Sequence, residues 1–180
     1  MNKAESRFSI RGKRAGLALL LLLLLPVLPA TLSCSLEENP VSAITPDNFY
    51  QNTEEVLGGL AATYAELRNT LWGYYNLSEI STDEMIVPTR GQDWFDNGRW
   101  LEIHRQTWAA NSPAGLDDIN GTWNVLFAGV AKANIVLNAL QSVTVADQAI
   151  FEAELRALRA FYYYLLMDLF GGVPIVTDTE

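Results

Sequence analysis

The sequence predicts an all-α protein: paired helices that carry one long irregular loop region, placed behind a short secretory leader. Three features point there. Apolar residues recur at three- and four-residue steps over 52–67, 119–137 and 151–170, the period of helices with a buried face. That period breaks down between Ser81 and Pro113, where Gly, Asp, Asn, Arg and Trp accumulate. The first 33 residues combine a basic start with an apolar run too short to cross a bilayer comfortably.

The leader begins with Lys3, Arg7, Arg11, Lys13 and Arg14 against the single acid Glu5. Leucine and alanine then run unbroken from Leu17 to Leu25, before Pro26 and Pro29. At about 1.5 Å per residue this run reaches roughly half of a bilayer core of about 30 Å. Small residues follow, and Cys34, the only cysteine of 180 residues, comes directly after Ser33. The arrangement resembles a bacterial lipobox, in which the cysteine becomes the first mature residue and is acylated. Thr31 stands where such signals usually have Leu, with Leu32 one place later. The alternative is an ordinary signal peptide with a cysteine near its cleavage site. Several acyl chains hold a domain on a membrane stably, whereas one does so only marginally. Glu37 and Glu38 resemble the acidic tag that sends some lipoproteins to the outer face of the outer membrane.

Composition excludes several classes. A single cysteine forms no internal disulfide, and with His104 as the only histidine there is no Cys/His metal cluster. Beyond residue 33 the chain has 7 basic and 20 acidic residues, a net charge of −13. Such a surface repels nucleic acid and anionic headgroups. No cofactor is expected.

Along the chain, 1–33 reads as a lipoprotein signal, 34–45 as a lipidated polar tether, and 46–180 as an α-helical domain. Thr45 with Pro46 reads as a helix start. Asn52 is placed to cap a longer helix, with Glu55 three residues on; its apolar face is Val56, Leu57, Leu60, Ala61, Tyr64 and Leu67. Gly58 and Gly59 either weaken that helix, by about 1 kcal/mol each, or admit a close neighbour. "LWGYYNLSEI" reads as a second, shorter helix. Asn97-Gly98 is a turn signal that could make a small hairpin. In the next helix Ile119, Trp123, Leu126, Phe127, Val130, Asn134 and Leu137 line one side. The last helix has a Glu152–Arg156 pair on its polar side. Past Ala157 it keeps little polarity beyond Arg159 and Asp168, so it is expected to be covered on more than one face. Gly171, Gly172 and Pro174 stop it. The chain then finishes at "PIVTDTE" with no element to wrap that helix, which reads as the N-terminal part of a longer protein, its C-terminal remainder absent.

Cys34, "TPDNFYQNTEEVLGGLAATYAEL", "SEISTDEMIVPTRGQDWFDNGRW", "INGTWNVLFAGVAKANIVLNAL" and "EAELRALRAFYYYLLMDLFGGVPIV", in that order, resemble the N-terminal part of the SusD/RagB family of nutrient-uptake outer-membrane lipoproteins. The resemblance covers essentially the whole mature stretch; no one motif is specific, but four in sequence after a lipobox are. It implies a truncated SusD-like fold with tetratricopeptide-like helix pairs on one side and a ligand surface of loops and extra helices on the other. It also implies a binding protein, not an enzyme. Such a protein sits as a lid on a TonB-dependent (SusC-like) transporter and hands it captured oligosaccharide or, in some members, peptide.

The aperiodic segment suits that class chemically. Sugars are gripped by flat aromatic rings against their C–H faces, with planar polar side chains bonding the hydroxyls. "RGQDWFDNGRW" supplies Arg90, Asp93, Trp94, Asn97 and Trp100 as candidate ligand-binding residues, and Trp and Arg are frequent binding anchors. A tryptophan beside helices can equally plug a core edge. Asp83 and Glu84 are expected to orient Arg90 or cap a helix. Trp123 and Tyr162 to Tyr164 are assigned to the core, His104 to a structural hydrogen bond, and Trp72, Trp108, Tyr74 and Tyr75 to either role.

A surface-anchored glycoside hydrolase is the alternative, but no carboxylate pair stands out by spacing and apolar setting. A cysteine nucleophile would be consumed by acylation, and His104 lacks a Gly-x-Ser-x-Gly turn to serve. A helical-repeat adaptor, binding only protein or peptide, is the third class. The formal glycosylation acceptors at Asn76 and Asn120 are disregarded behind a lipobox.

Overall fold

The computed structural model describes residues 48–178. The leader, Cys34 with its tether and the Thr45–Pro46 helix start lie outside the described residues. From Asn52 the backbone turns helical: α1 spans Thr53–Ala65, and the Asn52 side chain accepts from the Glu55 backbone N–H at 2.9 Å. Glu55 reaches back to the Gln51 N–H at 2.7 Å, so reciprocal capping fixes the entry. The run continues almost unbroken through α2 (Leu67–Thr70), a π-helical turn (Leu71–Tyr75) and α3 (Asn76–Ile80). After an irregular stretch come a short 3₁₀ turn (Asp96–Gly98) and α4 (Arg99–Arg105). A second π-helical turn (Ala114–Ile119) leads into α5 (Asn120–Ala139), and α6 (Gln148–Phe170) completes the set. Among the described residues there is no β-strand, only an isolated bridge between Arg90 and Asp93. The fold is all-α as expected.

α5 and α6 form an antiparallel hairpin. Trp123 meets the Phe170 ring at 5.1 Å, Phe127 faces Tyr163 at 6.4 Å, and Asn134 accepts from Arg159 at 2.7 Å. At the middle of the hairpin a Cβ on Gly129 would stand 2.5 Å from the Tyr162 ring, closer than real atoms pack. Only hydrogen fits there. Tyr162 is fully buried, and its hydroxyl donates to the Thr63 carbonyl of α1 at 2.6 Å. Burial pushes its pKa up to about 12. α1 thus closes a three-helix layer around Leu60, Leu126, Val130, Leu155, Leu158 and Leu166. A smaller cluster of Leu77, Ile80, Trp100, Ile103 and Ala114 joins α3, α4 and the second π-helical turn, with Leu169 packed against both clusters.

The predicted faces need three corrections. On α1 the buried set is Val56, Gly59, Leu60 and Thr63, while Leu57, Ala61 and Tyr64 are exposed. The helix is rotated because Gly59 lets Tyr50 and Val136 press onto its backbone, where a Cβ would lie 2.5 Å and 2.7 Å from them. Gly58 meets nothing within 4 Å. On α6 only one face is covered: Phe161, Tyr164 and Met167 are exposed, so Tyr164 is not core, whereas Tyr162 is buried and Tyr163 partly so. Asn97 and Gly98, both at positive φ, form no hairpin; they turn the chain into α4, a helix the broken period concealed. The remaining faces match: Trp123 and Phe127 pack on the main core, the Glu152–Arg156 pair forms at 3.7 Å, and α6 stops at Gly171.

Glu66, at the junction of α1 and α2, holds Lys132 of α5 in an ion pair and accepts from Asn69 at 2.8 Å. The lysine bond holds the Glu66 carboxyl below its ordinary range, against a smaller opposing effect of burial. A carboxyl with a lowered folded pKa contributes stability above its unfolded pKa and loses it as pH falls through the folded value. Lys132→Met is therefore expected to cost about 1 kcal/mol at pH 7, a difference that shrinks as pH falls below the ordinary carboxyl range and closes only below the lowered folded value; urea melts of both proteins at pH 7 and through that acid range check it. Gly129→Ala is expected to destabilise by about 1–3 kcal/mol through overpacking against Tyr162. Gly58→Ala, in open space, should stabilise by up to about 1 kcal/mol. Equal effects at the two glycines would show that the Tyr162 contact imposes no constraint.

Candidate functional site

The irregular segment is built outward from α3. Thr82 donates to the Glu79 carbonyl at 2.8 Å and accepts from the Glu84 N–H at 3.2 Å, which turns the chain off the helix. Arg90 and Asp93 then exchange backbone bonds of 3.0 Å and 3.1 Å across Gly91, at positive φ. Beyond this turn Trp94, Asp96, Asn97 and Gly98 all hold positive φ, at 55°, 43°, 56° and 85°. For bulky Trp94 this is a strained conformation, of a kind that costs about 1–3 kcal/mol and concentrates at binding sites. Two contacts hold it: the Trp100 indole N–H donates to Asp96 at 2.6 Å, and the Gly98 N–H to the Phe95 carbonyl at 2.6 Å.

The result is a cavity of about 340 Å³ lined by Ile86, Val87, Pro88, Arg90, Asp93 and Trp94. Its walls divide the work. Ile86, Val87 and Pro88 are apolar, Arg90 and Asp93 supply donors and acceptors, and Trp94 offers a ring that is 52% exposed. Trp100 stands behind it, with ring centroids 6.3 Å apart, and the Arg99 guanidinium lies 4.5 Å from the Trp100 ring. Arg99 bonds Asp118 at 2.6 Å. A contact chain thus runs from the exposed tryptophan to the second π-helical turn.

Of the residues singled out from sequence, Arg90, Asp93 and Trp94 come together. Trp100 does not reach the cavity: at 5% exposure it belongs to the smaller core and serves by backing Trp94. Asn97 is exposed at the turn and is not in the lining. Asp83 and Glu84 are exposed, and the ion pairs among the described residues do not join either to Arg90. Glu84 instead faces Glu79, whose carboxyl is raised first by a hydrogen bond from that neighbour. The wall at 86–88 was missed, although the short apolar run in "EMIVPT" was a signal for it. His104 makes the expected structural contact, its Nδ1 lying 3.2 Å from the Ile80 carbonyl. Among the described residues no group of three or more His, Cys, Asp or Glu side chains is placed to hold a metal ion.

Comparison with known proteins adds the family. The SusD-like family described as "Starch-binding associating with outer membrane" matches residues 36–180. The chain is similar to SusD-like proteins of Formosa agariphila, at 27% identity over 93% of this chain and 31% of the relative, and at 24% over 79% and 28%. It is also similar to a SusD-like protein of Bacteroides ovatus, at 26% identity over 81% of this chain and 26% of the relative. The chain therefore spans less than a third of the length of these curated relatives. No solved structure matches it significantly. With its helical scaffold, its irregular aromatic loop and a family match over most of its length, the chain belongs to the SusD-like family.

Proposed function

We propose that this chain is the N-terminal part of a surface lipoprotein that captures oligosaccharide without cleaving it and delivers it to a TonB-dependent, SusC-like transporter in the outer membrane. The cavity beside Trp94 carries the reading. An exposed indole backed by a second one, next to a guanidinium and a carboxylate, suits a sugar ring: the ring face stacks and the hydroxyls pair with Arg90 and Asp93. The family's description names starch binding and the outer membrane, which supports the same class of ligand and place. Anchoring is assigned to acyl chains on Cys34, facing the cell exterior. No helix among the described residues is long and apolar enough to cross a membrane. An acidic body on a lipid tether remains able to bind neutral glycans while being repelled by anionic surfaces.

In the mature full-length protein, Trp94→Ala is expected to weaken binding of a neutral oligosaccharide about tenfold, a loss near 1.4 kcal/mol, with the melting temperature unchanged. Isothermal titration checks this, with maltoheptaose first and other neutral oligosaccharides after it. A matching loss of stability would make Trp94 a packing residue, and release of shorter sugars would overturn the non-catalytic reading. Cys34→Ser should abolish incorporation of labelled palmitate in growing cells; a wild-type protein that takes up no label would remove the lipid anchor.

A further inference from the structure

A second aromatic platform lies outside the loop cavity. Trp72 is 70% exposed, although an indole is among the costliest side chains to leave in water. It sits on the first π-helical turn, and the second π-helical turn stands across a cleft of about 230 Å³ from it. Wide turns of this kind are rare and occur often at functional sites. Here two of them, far apart in sequence, border the same space. They are locked by Thr122 packing on Gly73, with the Thr122 hydroxyl donating to the Asp118 carbonyl at 2.6 Å.

The lining chemistry is polar as well as aromatic: Asn69, Arg99, Asp117 and Asp118 line the cleft with the indole. The Asp118 side chain is only 4% exposed. One of its oxygens holds Arg99, while Oδ2 and the Arg99 Nε have no partner within the protein. Buried polar groups are rarely left so, and each such case asks for an explanation. Both atoms are buried, in side chains that are 4% and 27% exposed, and both residues line the cleft. Two carboxylates against one guanidinium give the cleft a negative balance, which disfavours uronic or sulfated sugars. Its size suits one sugar unit rather than an extended ligand.

We propose that this cleft is a second glycan subsite, taking one unit of a neutral oligosaccharide with Trp72 stacked on the ring, Asp117 accepting its hydroxyls and the buried Asp118 holding Arg99 in the wall. It rests on the reading that the chain captures glycan, and adjoins the first site through Trp94, Trp100, Arg99 and Asp118.

The test is titration of the mature full-length protein with neutral gluco-, manno-, xylo- and galacto-heptasaccharides and, in parallel, with an oligogalacturonate. Trp72→Ala and Asp117→Asn are each expected to raise the dissociation constant of a bound neutral oligosaccharide about five- to tenfold. The melting temperature stays unchanged, Trp72→Phe keeps most of the affinity, and the oligogalacturonate gains nothing from the cleft. If both variants bind like wild type while Trp94→Ala fails, the second subsite is overturned and the loop site stands. If Trp72→Ala melts earlier with affinity intact, the indole is packing and the proposal falls. If the wild type binds no member of the panel, the glycan reading falls and takes this subsite with it.

Discussion

The approach of α5 to α6 at Gly129 is the constraint from which the rest follows. Tyr162 fills the space that any larger residue at 129 would claim, and its hydroxyl then needs a buried partner. The Thr63 carbonyl supplies it at 2.6 Å, and Thr63 also donates its own side chain to the Gly59 carbonyl, 2.9 Å away. One ring therefore fixes the spacing of two helices and the seating of a third. Glu66, three residues beyond Thr63, repeats the fixation through Lys132. From that point the chain leaves the three-helix layer and becomes the strut for everything that could touch a ligand.

That strut is irregular in a purposeful place. Ordinary α-helix from Leu67 to Ile80 would rotate Trp72 and Tyr74 to other faces. The π-helical turn shifts the register, so that the Tyr74 hydroxyl donates to Asp168 at 2.6 Å while Trp72 points to solvent. Asp168 raises the Tyr74 pKa through that bond, so the tyrosine remains a neutral donor across the physiological range. The bond ties the strut to the end of α6, and Leu169 beside it packs against both hydrophobic clusters. The loop that carries Trp94 thus rests on a platform anchored at both ends, which is what lets several residues in succession hold positive φ without collapsing.

Much of this was legible in the sequence because it rests on period and capping. Asn52 with Glu55, the Glu152–Arg156 pair and the stop at Gly171 are local signals, and each is present. What was not legible depends on shape complementarity between distant segments. Periodicity placed Leu57, Ala61 and Tyr64 inward because they are apolar, but Gly59 decides the face of α1 by admitting Tyr50 and Val136, and no local pattern encodes those partners. Tyr164 was counted with its neighbours because three tyrosines in a row carry no phase of their own. α4 was hidden because its seven residues, Arg99–Arg105, are mostly polar and follow a run of turn formers. In the site, Arg90, Asp93 and Trp94 were recoverable since a four-residue turn keeps them together, whereas the burial of Trp100 follows from its packing on Ile80 and Ile103.

The Arg99–Asp118 pair shows why stability alone does not explain this region. Burial raises the Asp118 carboxyl, and the attraction of Arg99 only partly offsets it, with Asp117 and Asp96 adding repulsion. A carboxylate raised in the folded state costs stability at neutral pH relative to the unfolded chain, a cost relieved as pH falls through the folded value. A pair of this kind would commonly be replaced by apolar residues with no loss of stability. What the pair contributes is position. It holds the guanidinium over the Trp100 ring, which stands behind Trp94, and it places the same guanidinium at the rim of the cleft beneath Trp72. Either aromatic platform could be built without it. Fixing both from one buried pair carries the energetic cost of burying Asp118, and this is the arrangement the packing around it maintains.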